Sequence, residues 1–168
     1  MNILKSLASV ALMAMAVCAQ AQDLKFGHID SQAFLAQQDE FKEAQTKLQS
    51  EADQIQANFQ AMQDDLQKKY QEYISQREQM PELVRATKEK EIQDGQERLQ
   101  SFQQMAQQSL SQKEQQLLQP IYEKYKNALA QVGEEGGFVY IFDVASQVVL
   151  YHSNSSIDVA PLVQAKFK

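Results

Sequence analysis

Apolar residues in the first half of the chain recur in a seven-residue repeat, with a spacing of three and four residues between neighbours. Such spacing is typical of a coiled-coil seam. The pattern therefore predicts one long helix that begins near residue 32, after a cap at Asp30 or Ser31. The seam lapses at four positions: Gln38, Gln45, Lys69 and Gln76. The two interleaved series are Phe34, Phe41, Leu48, Ile55 and Met62, and Ala52, Phe59, Leu66, Tyr73 and Met80.

Pro81 interrupts this helix and predicts a reversal of the chain near residues 79–82. A proline disfavours helix in the residue before it and suits the first turn of a new helix. Residues 32–79 and 82–132 would form helices of nearly equal length, which favours a hairpin arm over residues 32–132. A continuous helix with a kink at Pro81 is the alternative.

The returning helix carries an eleven-residue repeat instead of heptads, with apolar residues at Leu99, Leu110, Ile121 and Val132. This period is close to that of a straight helix. Pro120 lies inside the pattern and predicts a kink, which we interpret as the junction between the arm and a small body. Gly133, Gly136 and Gly137 predict the end of the helix.

The body is predicted from residues 22–31 and 133–168, and the fold class is therefore α+β with a long antiparallel helical arm. Leu24 to Asp30 is expected to form one strand, and Phe138–Asp143 and Val148–Tyr151 are expected to form a β-hairpin. A last helix is expected over Ile157–Phe167, capped by Ser155 or Ser156. So few residues make a marginal core, which predicts association of several copies.

Residues 1–21 have the pattern of a cleavable secretory signal peptide. Lys5 precedes an apolar run that ends at Cys18, and Ala19-Gln20-Ala21 fits the site of signal peptidase. Cleavage would remove the only cysteine and make the net charge of −6 one unit more negative. An acidic chain is a poor candidate for nucleic-acid binding, because that function requires clustered Lys and Arg. We predict an exported protein that does not bind nucleic acid.

No pattern in the chain predicts catalysis or a cofactor. His28 and His152 are the only histidines, and no cluster of carboxylates accompanies them, so no metal site is expected. Asp30, Asp143 and His152 could be combined into a catalytic set, but no nucleophile motif accompanies them. A Gly-rich phosphate loop is also missing from the sequence. We therefore expect a protein that is not an enzyme.

The predicted tip of the arm is locally basic and carries apolar residues beside the seam. Between Lys68 and Lys90, six basic residues oppose four acidic ones. Such a mixture suits contact with an apolar client chain or with an anionic membrane surface. Alternatively, the charges solvate the arm and the apolar residues close the hairpin. The candidate contact residues are Lys68, Lys69, Tyr70, Ile74, Arg77, Arg85 and Lys88.

Two segments of the chain give a family resemblance. The strand Lys-Phe-Gly-His-Ile-Asp at residues 25–30, and the stretch from Gly137 through Val-Val-Leu-Tyr-His-Ser-Asn to Ala160, resemble the OmpH family of Skp-like periplasmic chaperones. The resemblance implies a homotrimer that holds unfolded outer-membrane proteins in a cavity between helical arms, without ATP, metal or catalytic residues. The apolar strand residues would then form the trimer core: Phe26, Ile29, Val139, Ile141 and Val149.

Two other functions are compatible with the residues. An exported coiled-coil scaffold or spacer would have the same helical seam but would bind one folded partner. A peripheral adaptor at the envelope would use the basic tip against an anionic membrane, and its binding would weaken with added salt.

Overall fold

The computed structural model describes residues 24–146 and 148–168, so the predicted signal peptide at 1–21 lies outside the described residues. The chain is α+β: two long helices and a small sheet of three strands. It divides into two compact units. The hairpin unit is Gln32–Asn127, and the sheet unit combines the N-terminal strand, up to Ser31, with Ala128–Lys168.

The outgoing helix is broken near its start, where the sequence predicted continuity. A short helix α1 spans Ser31–Gln37, and the long helix α2 spans Asp39–Gln76. Gln38 between them is extended, with φ −77° and ψ 132°. It is buried, and its side-chain amide donates to the carbonyl of Phe34 at 2.9 Å. The break thus coincides with a lapse of the apolar seam and is stabilised by a buried polar side chain.

The predicted reversal at Pro81 is confirmed. A short 3₁₀ turn over Arg77–Gln79 ends α2, Met80 is extended, and helix α3 runs over Glu82–Gly136. The two helices are antiparallel neighbours, because Lys124 forms an ion pair with Glu40 at one end and Tyr73 bonds to Glu89 at the other.

The seam residues of both helices are shielded from solvent, which confirms the predicted apolar faces. Phe34, Tyr73, Ile121 and Val132 are buried, and the other residues of both repeats are partly or fully buried. Helix α3 continues through Pro120 and ends four residues later than the predicted Val132, at Gly136. Of the three glycines that were candidates to end the helix, Gly137 is the one with a left-handed backbone, at φ +67°. Gly137 therefore ends helix α3.

The sheet is parallel, and one predicted strand is wrong. Strand β1 (Lys25–Ile29) lies between β2 (Phe138–Asp143) and β3 (Ile157–Asp158). The segment 148–151 forms no strand, and Leu150 and Tyr151 are 94% and 82% exposed. The predicted hairpin fails because residues after Asp143 turn away instead, while Ile157–Asp158 occupies the other edge of β1.

The last helix, α4, spans Ala160–Lys166 and begins three residues later than predicted. Ser155 and Ser156 do not cap it, because Ile157–Asp158 is the third strand. The carboxylate of Asp158 instead accepts a hydrogen bond from the backbone of Ala160 at 2.9 Å. Val159 and Val163 are fully buried, so this helix supplies much of the core of the sheet unit.

Gly27 in the central strand allows the sheet to pack closely. A Cβ atom there would lie 2.9 Å from Val159 Cγ1 and 3.2 Å from side-chain atoms of both Ile141 and Phe138. The contact with Val159 is shorter than ordinary Cβ contacts, so any larger residue at position 27 would force the buried Val159 side chain to shift.

Candidate functional site

The end of the hairpin is closed by a buried tyrosine. Tyr73 is only 6% exposed, and its hydroxyl donates to the carboxylate of Glu89 on the returning helix. This hydrogen bond is the main reason that the pKa of Tyr73 is raised, with burial adding to the effect and the nearby Arg77 opposing it. Tyr73 therefore stays protonated and joins the two helices near the tip.

Arg85, a predicted contact residue, is turned toward its own chain. Its guanidinium donates to the carbonyl of Met80 in the turn at 3.4 Å. Its Nε is buried without a hydrogen-bond partner among the described residues. Arg85 is thus positioned to stabilise the turn rather than to face outward.

Two of the predicted lysines pair with carboxylates on their own helices. Lys69 lies 2.8 Å from Asp65, and Lys88 lies 3.1 Å from Glu91. The hydrogen bond from Lys69 is the main cause of a lowered pKa at Asp65. Lys68 and Arg77 remain exposed. The basic character of the tip is therefore smaller than the residue count in the sequence indicates.

Apolar side chains are exposed around the reversal. Tyr70 and Ile74, both predicted contact residues, are each 52% exposed, one helical turn apart. Leu83 is 81% exposed and Val84 43%. The sequence pattern did not single out Leu83, although its position just after Pro81, off the seam, could have indicated it. These four residues and the exposed Lys68 and Arg77 form what we call the tip surface.

A second apolar surface lies on one face of the parallel sheet. The rings of Phe26 and Tyr140 stack with centroids 6.4 Å apart, and Tyr140 and Phe142 stack at 5.8 Å. All three residues are exposed, as is Val139 at 48%. Aromatic rings arranged in this way on an open sheet are typical of an interface with another surface. We call these four residues the aromatic face.

The predicted trimer-core residues lie in different environments. Phe26 and Val139 belong to the aromatic face, and Val149 is half-buried beside a cavity of about 340 Å³. Ile29 is only 1% exposed and belongs to the core of the subunit itself. Ile141 is half-buried against the opposite side of the sheet, near Gly27 and Gly133.

The two histidines meet at the edge of the same cavity. Their rings stack with centroids 4.0 Å apart, and His28 Nδ1 lies 2.9 Å from the hydroxyl of Ser156. Within the described residues, no group of three or more His, Cys, Asp or Glu side chains is arranged to hold a metal ion. Over the same residues, no helix combines the length and the apolar character needed to span a membrane.

Asp143, considered above as part of a catalytic set, has a structural environment. Partial burial favours a higher pKa, but hydrogen bonds from Ser31 and from the backbone of Ala145 outweigh it and hold the pKa of Asp143 below its ordinary value. The carboxylate therefore acts as a fixed acceptor between two segments of backbone.

Known proteins place this architecture in one family. Residues 25–167 match the family described as outer membrane protein (OmpH-like). Among solved structures, the chain resembles an OmpH-like protein from Caulobacter crescentus CB15, named as a candidate outer membrane chaperone. The two share 14% sequence identity with a TM-score of 0.71, over 86% of this chain and 83% of that one. No curated protein matches the chain.

The match extends from the first strand through both long helices to the end of the last helix, which is the whole described fold. It includes the segments at residues 25–30 and 137–160 that carried the resemblance in the sequence. The protein belongs to the OmpH-like family of outer membrane proteins.

Proposed function

We propose that this protein is an ATP-independent periplasmic holdase, which binds unfolded outer-membrane β-barrel proteins in a cavity between the helical arms of a homotrimer. The family match over residues 25–167 carries this proposal. Signal-peptide character at residues 1–21 supports export to the periplasm.

The tip surface supports the proposal through its chemistry. Tyr70, Ile74 and Leu83 expose apolar area beside exposed basic groups. Surfaces of this kind make weak, reversible contacts with many apolar segments, which is what a chaperone of varied unfolded chains needs.

The aromatic face supports the homotrimer. Phe26, Tyr140 and Phe142 would remain in contact with water in a single copy, although the sheet unit is small and has few buried residues. Burying such a face against other copies would contribute the apolar area that a small core lacks. Three copies joined in this way would carry three helical arms, and we place the cavity and the client between those arms.

The proposal is tested with the chain that begins at Gln22, mixed with a denatured outer-membrane β-barrel as it is diluted out of urea. We expect light scattering to fall at about equimolar trimer, with no change on adding ATP, because none of the proposed contacts with the client uses a nucleotide. A natively folded β-barrel is the control and should not bind. Undiminished aggregation at several-fold molar excess of the trimer would contradict the proposal.

A further inference from the structure

The middle of the hairpin unit is free of charge on both helices. Residues 54–63 of α2 and 99–112 of α3 contain no Asp, Glu, Lys or Arg, although 23% of the whole chain is charged. Ordinary composition would place about six charged residues in stretches of this length. Charged residues flank each stretch directly: Asp53 and Asp64 on α2, and Arg98 and Lys113 on α3. We call these two stretches the neutral belt.

The antiparallel packing brings the two stretches together around one groove. The groove has a volume of about 490 Å³ and is lined only by residues of the neutral belt. Its apolar lining comes from both helices and includes Ile55, Phe59, Phe102 and Leu110. Glutamines supply the polar part of the lining: Gln56, Gln100, Gln103, Gln104 and Gln107.

The glutamines of the groove differ from those elsewhere on the hairpin in their hydrogen bonding. Gln49, Gln93 and Gln119 each donate to a carboxylate four residues later, as Gln119 does to Glu123 at 2.9 Å. On α3 the position four residues after Gln103, Gln104 or Gln107 is Gln or Ser. Across residues 24–146 and 148–168, the side-chain amides of those three make no hydrogen bond to the protein.

Each of these amides therefore offers both a donor and an acceptor to whatever enters the groove. An extended backbone presents the complementary groups, one N–H and one C=O per residue. Its alternate side chains point to one side, where the apolar lining can bury them. A charged side chain would lose hydration in the groove without meeting any counter-charge, which is strongly unfavourable.

We propose that the groove lined by the neutral belt is the place on the arm where extended, uncharged segments of the client chain bind. The inference rests on the proposed chaperone function. It adds where on the arm the client binds and which kind of client segment binds there. The apolar and amide lining of the groove favours segments that alternate apolar and uncharged polar residues. Membrane-embedded β-strands have this alternation between their lipid-facing and inner sides.

Two matched double variants test the groove. Gln103→Glu with Gln107→Glu places two charges in its lining. Gln108→Glu with Gln112→Glu makes the same charge change at the same spacing, five residues further along the same helix, at exposed positions outside the lining. The probe is a fluorescent peptide of about 12 residues, in which Val, Leu and Tyr alternate with Ser, Thr and Gln.

We expect the first variant to weaken peptide binding about tenfold and the second by less than about twofold. Circular dichroism should show equal helicity for both variants. Equal binding by the two variants, or no peptide binding by a wild-type protein that does suppress aggregation, would overturn this inference and leave the chaperone function intact. A wild-type protein that suppresses no aggregation would instead contradict the chaperone function itself.

Photo-crosslinking identifies the occupant directly. A photoreactive amino acid at Gln103, with Gln108 as the matched control, is activated in the complex with an unfolded β-barrel protein. Mass spectrometry of the products should show that Gln103 selects client segments poorer in charge than the client as a whole. Crosslinks mainly to a second copy of this chain, or to client segments of average charge, would overturn the inference.

Discussion

Asp143 accepts two hydrogen bonds from Ser31, one from its backbone N–H at 3.1 Å and one from its hydroxyl at 2.6 Å. The two residues are 112 positions apart, so the end of strand β2 is joined to the first residue of helix α1. A carboxylate at the start of a helix also interacts favourably with the helix dipole. This pair therefore couples the closing of the sheet to the start of the outgoing helix.

Replacing Asp143 with Ala should lower the free energy of unfolding at pH 7 by about 1–2 kcal/mol, the usual cost of removing a capping group. The folded-state pKa of Asp143 lies below its ordinary value of 3.8. Its contribution is therefore complete above that pH and is lost as the pH falls through the folded-state pKa. Urea unfolding at several pH values should show the wild-type advantage disappearing at acid pH. Glu134→Gln, at an exposed position, is the control and should show no such trend.

Removing the Tyr73 hydroxyl should loosen the end of the hairpin. Tyr73→Phe loses the hydrogen bond to Glu89, and we expect a small decrease in the free energy of unfolding, because the exposed carboxylate can recover water. Hydrogen exchange should accelerate on either side of the reversal, with little change near Lys124. Tyr70→Phe, at a residue that is 52% exposed, should leave exchange unchanged, and an equal effect of the two variants would refute this role for Tyr73.

Replacing either of two glycines near Ile141 with alanine should change the free energy of unfolding, in opposite directions at the two positions. Gly27→Ala places a methyl group 2.9 Å from Val159 and should destabilise the protein by about 1–3 kcal/mol through overpacking. At Gly133, inside helix α3, the nearest atom would be Ile141 Cδ1 at 3.8 Å, an ordinary contact. Gly133→Ala should therefore stabilise by about 0.5–1 kcal/mol. Thermal unfolding at one fixed protein concentration measures the stability of both variants. An unchanged stability of Gly27→Ala would show that the sheet can open to admit a side chain.

The apolar part of the tip surface should contribute to client binding. Leu83→Asp removes the most exposed apolar side chain of that surface and is expected to reduce affinity for an unfolded β-barrel by roughly fivefold. Leu162→Asp, at a 46% exposed position on α4, is the control. Fluorescence anisotropy with a labelled client measures the affinity of both variants. Equal affinities would show that Leu83 does not contribute to client binding.

Charge on the aromatic face should separate the copies. Tyr140→Lys would bury a lysine in the proposed interface, whereas Tyr122→Lys makes the same change on the hairpin, at a residue that is 42% exposed. Light scattering after size exclusion should give a mass near one-third of the wild-type value for the first variant and the wild-type mass for the second. A wild-type mass for Tyr140→Lys would rule out this face as the interface.

The periodicity of apolar residues predicted the long helices well, because burial along a helix is a local property. Every position of the two repeats, including Phe59 and Leu110, is shielded from solvent. The reversal at Pro81 was also predictable, since the backbone effect of proline depends only on its neighbours.

The sheet was harder to predict, because strand pairing depends on residues far apart in the chain. Val148–Tyr151 has the composition of a strand and was expected to pair with Phe138–Asp143, yet that strand pairs with β1, and the third strand is Ile157–Asp158 at the other edge of β1. Nothing local distinguishes the two segments. Similarly, the engagement of Arg85 with Met80 depends on the conformation of the turn, which residue types alone do not determine. The absence of charge from the neutral belt can be seen in the sequence. That its two halves line one groove depends on the antiparallel register of the two helices.

The central position of β1 also has a consequence for how the protein is made. Both of its partners follow the long hairpin, so that Lys25 pairs with Phe138 and His28 with Asp158. The strand therefore leaves the ribosome with both edges open and remains unpaired until almost the whole chain has been synthesised. Helices with local contacts form early, whereas contacts of such high sequence separation form late. Until its partners are made, this first strand is an exposed edge of the kind that promotes aggregation, so the risk of aggregation is highest before the last residues of the chain are available to pair.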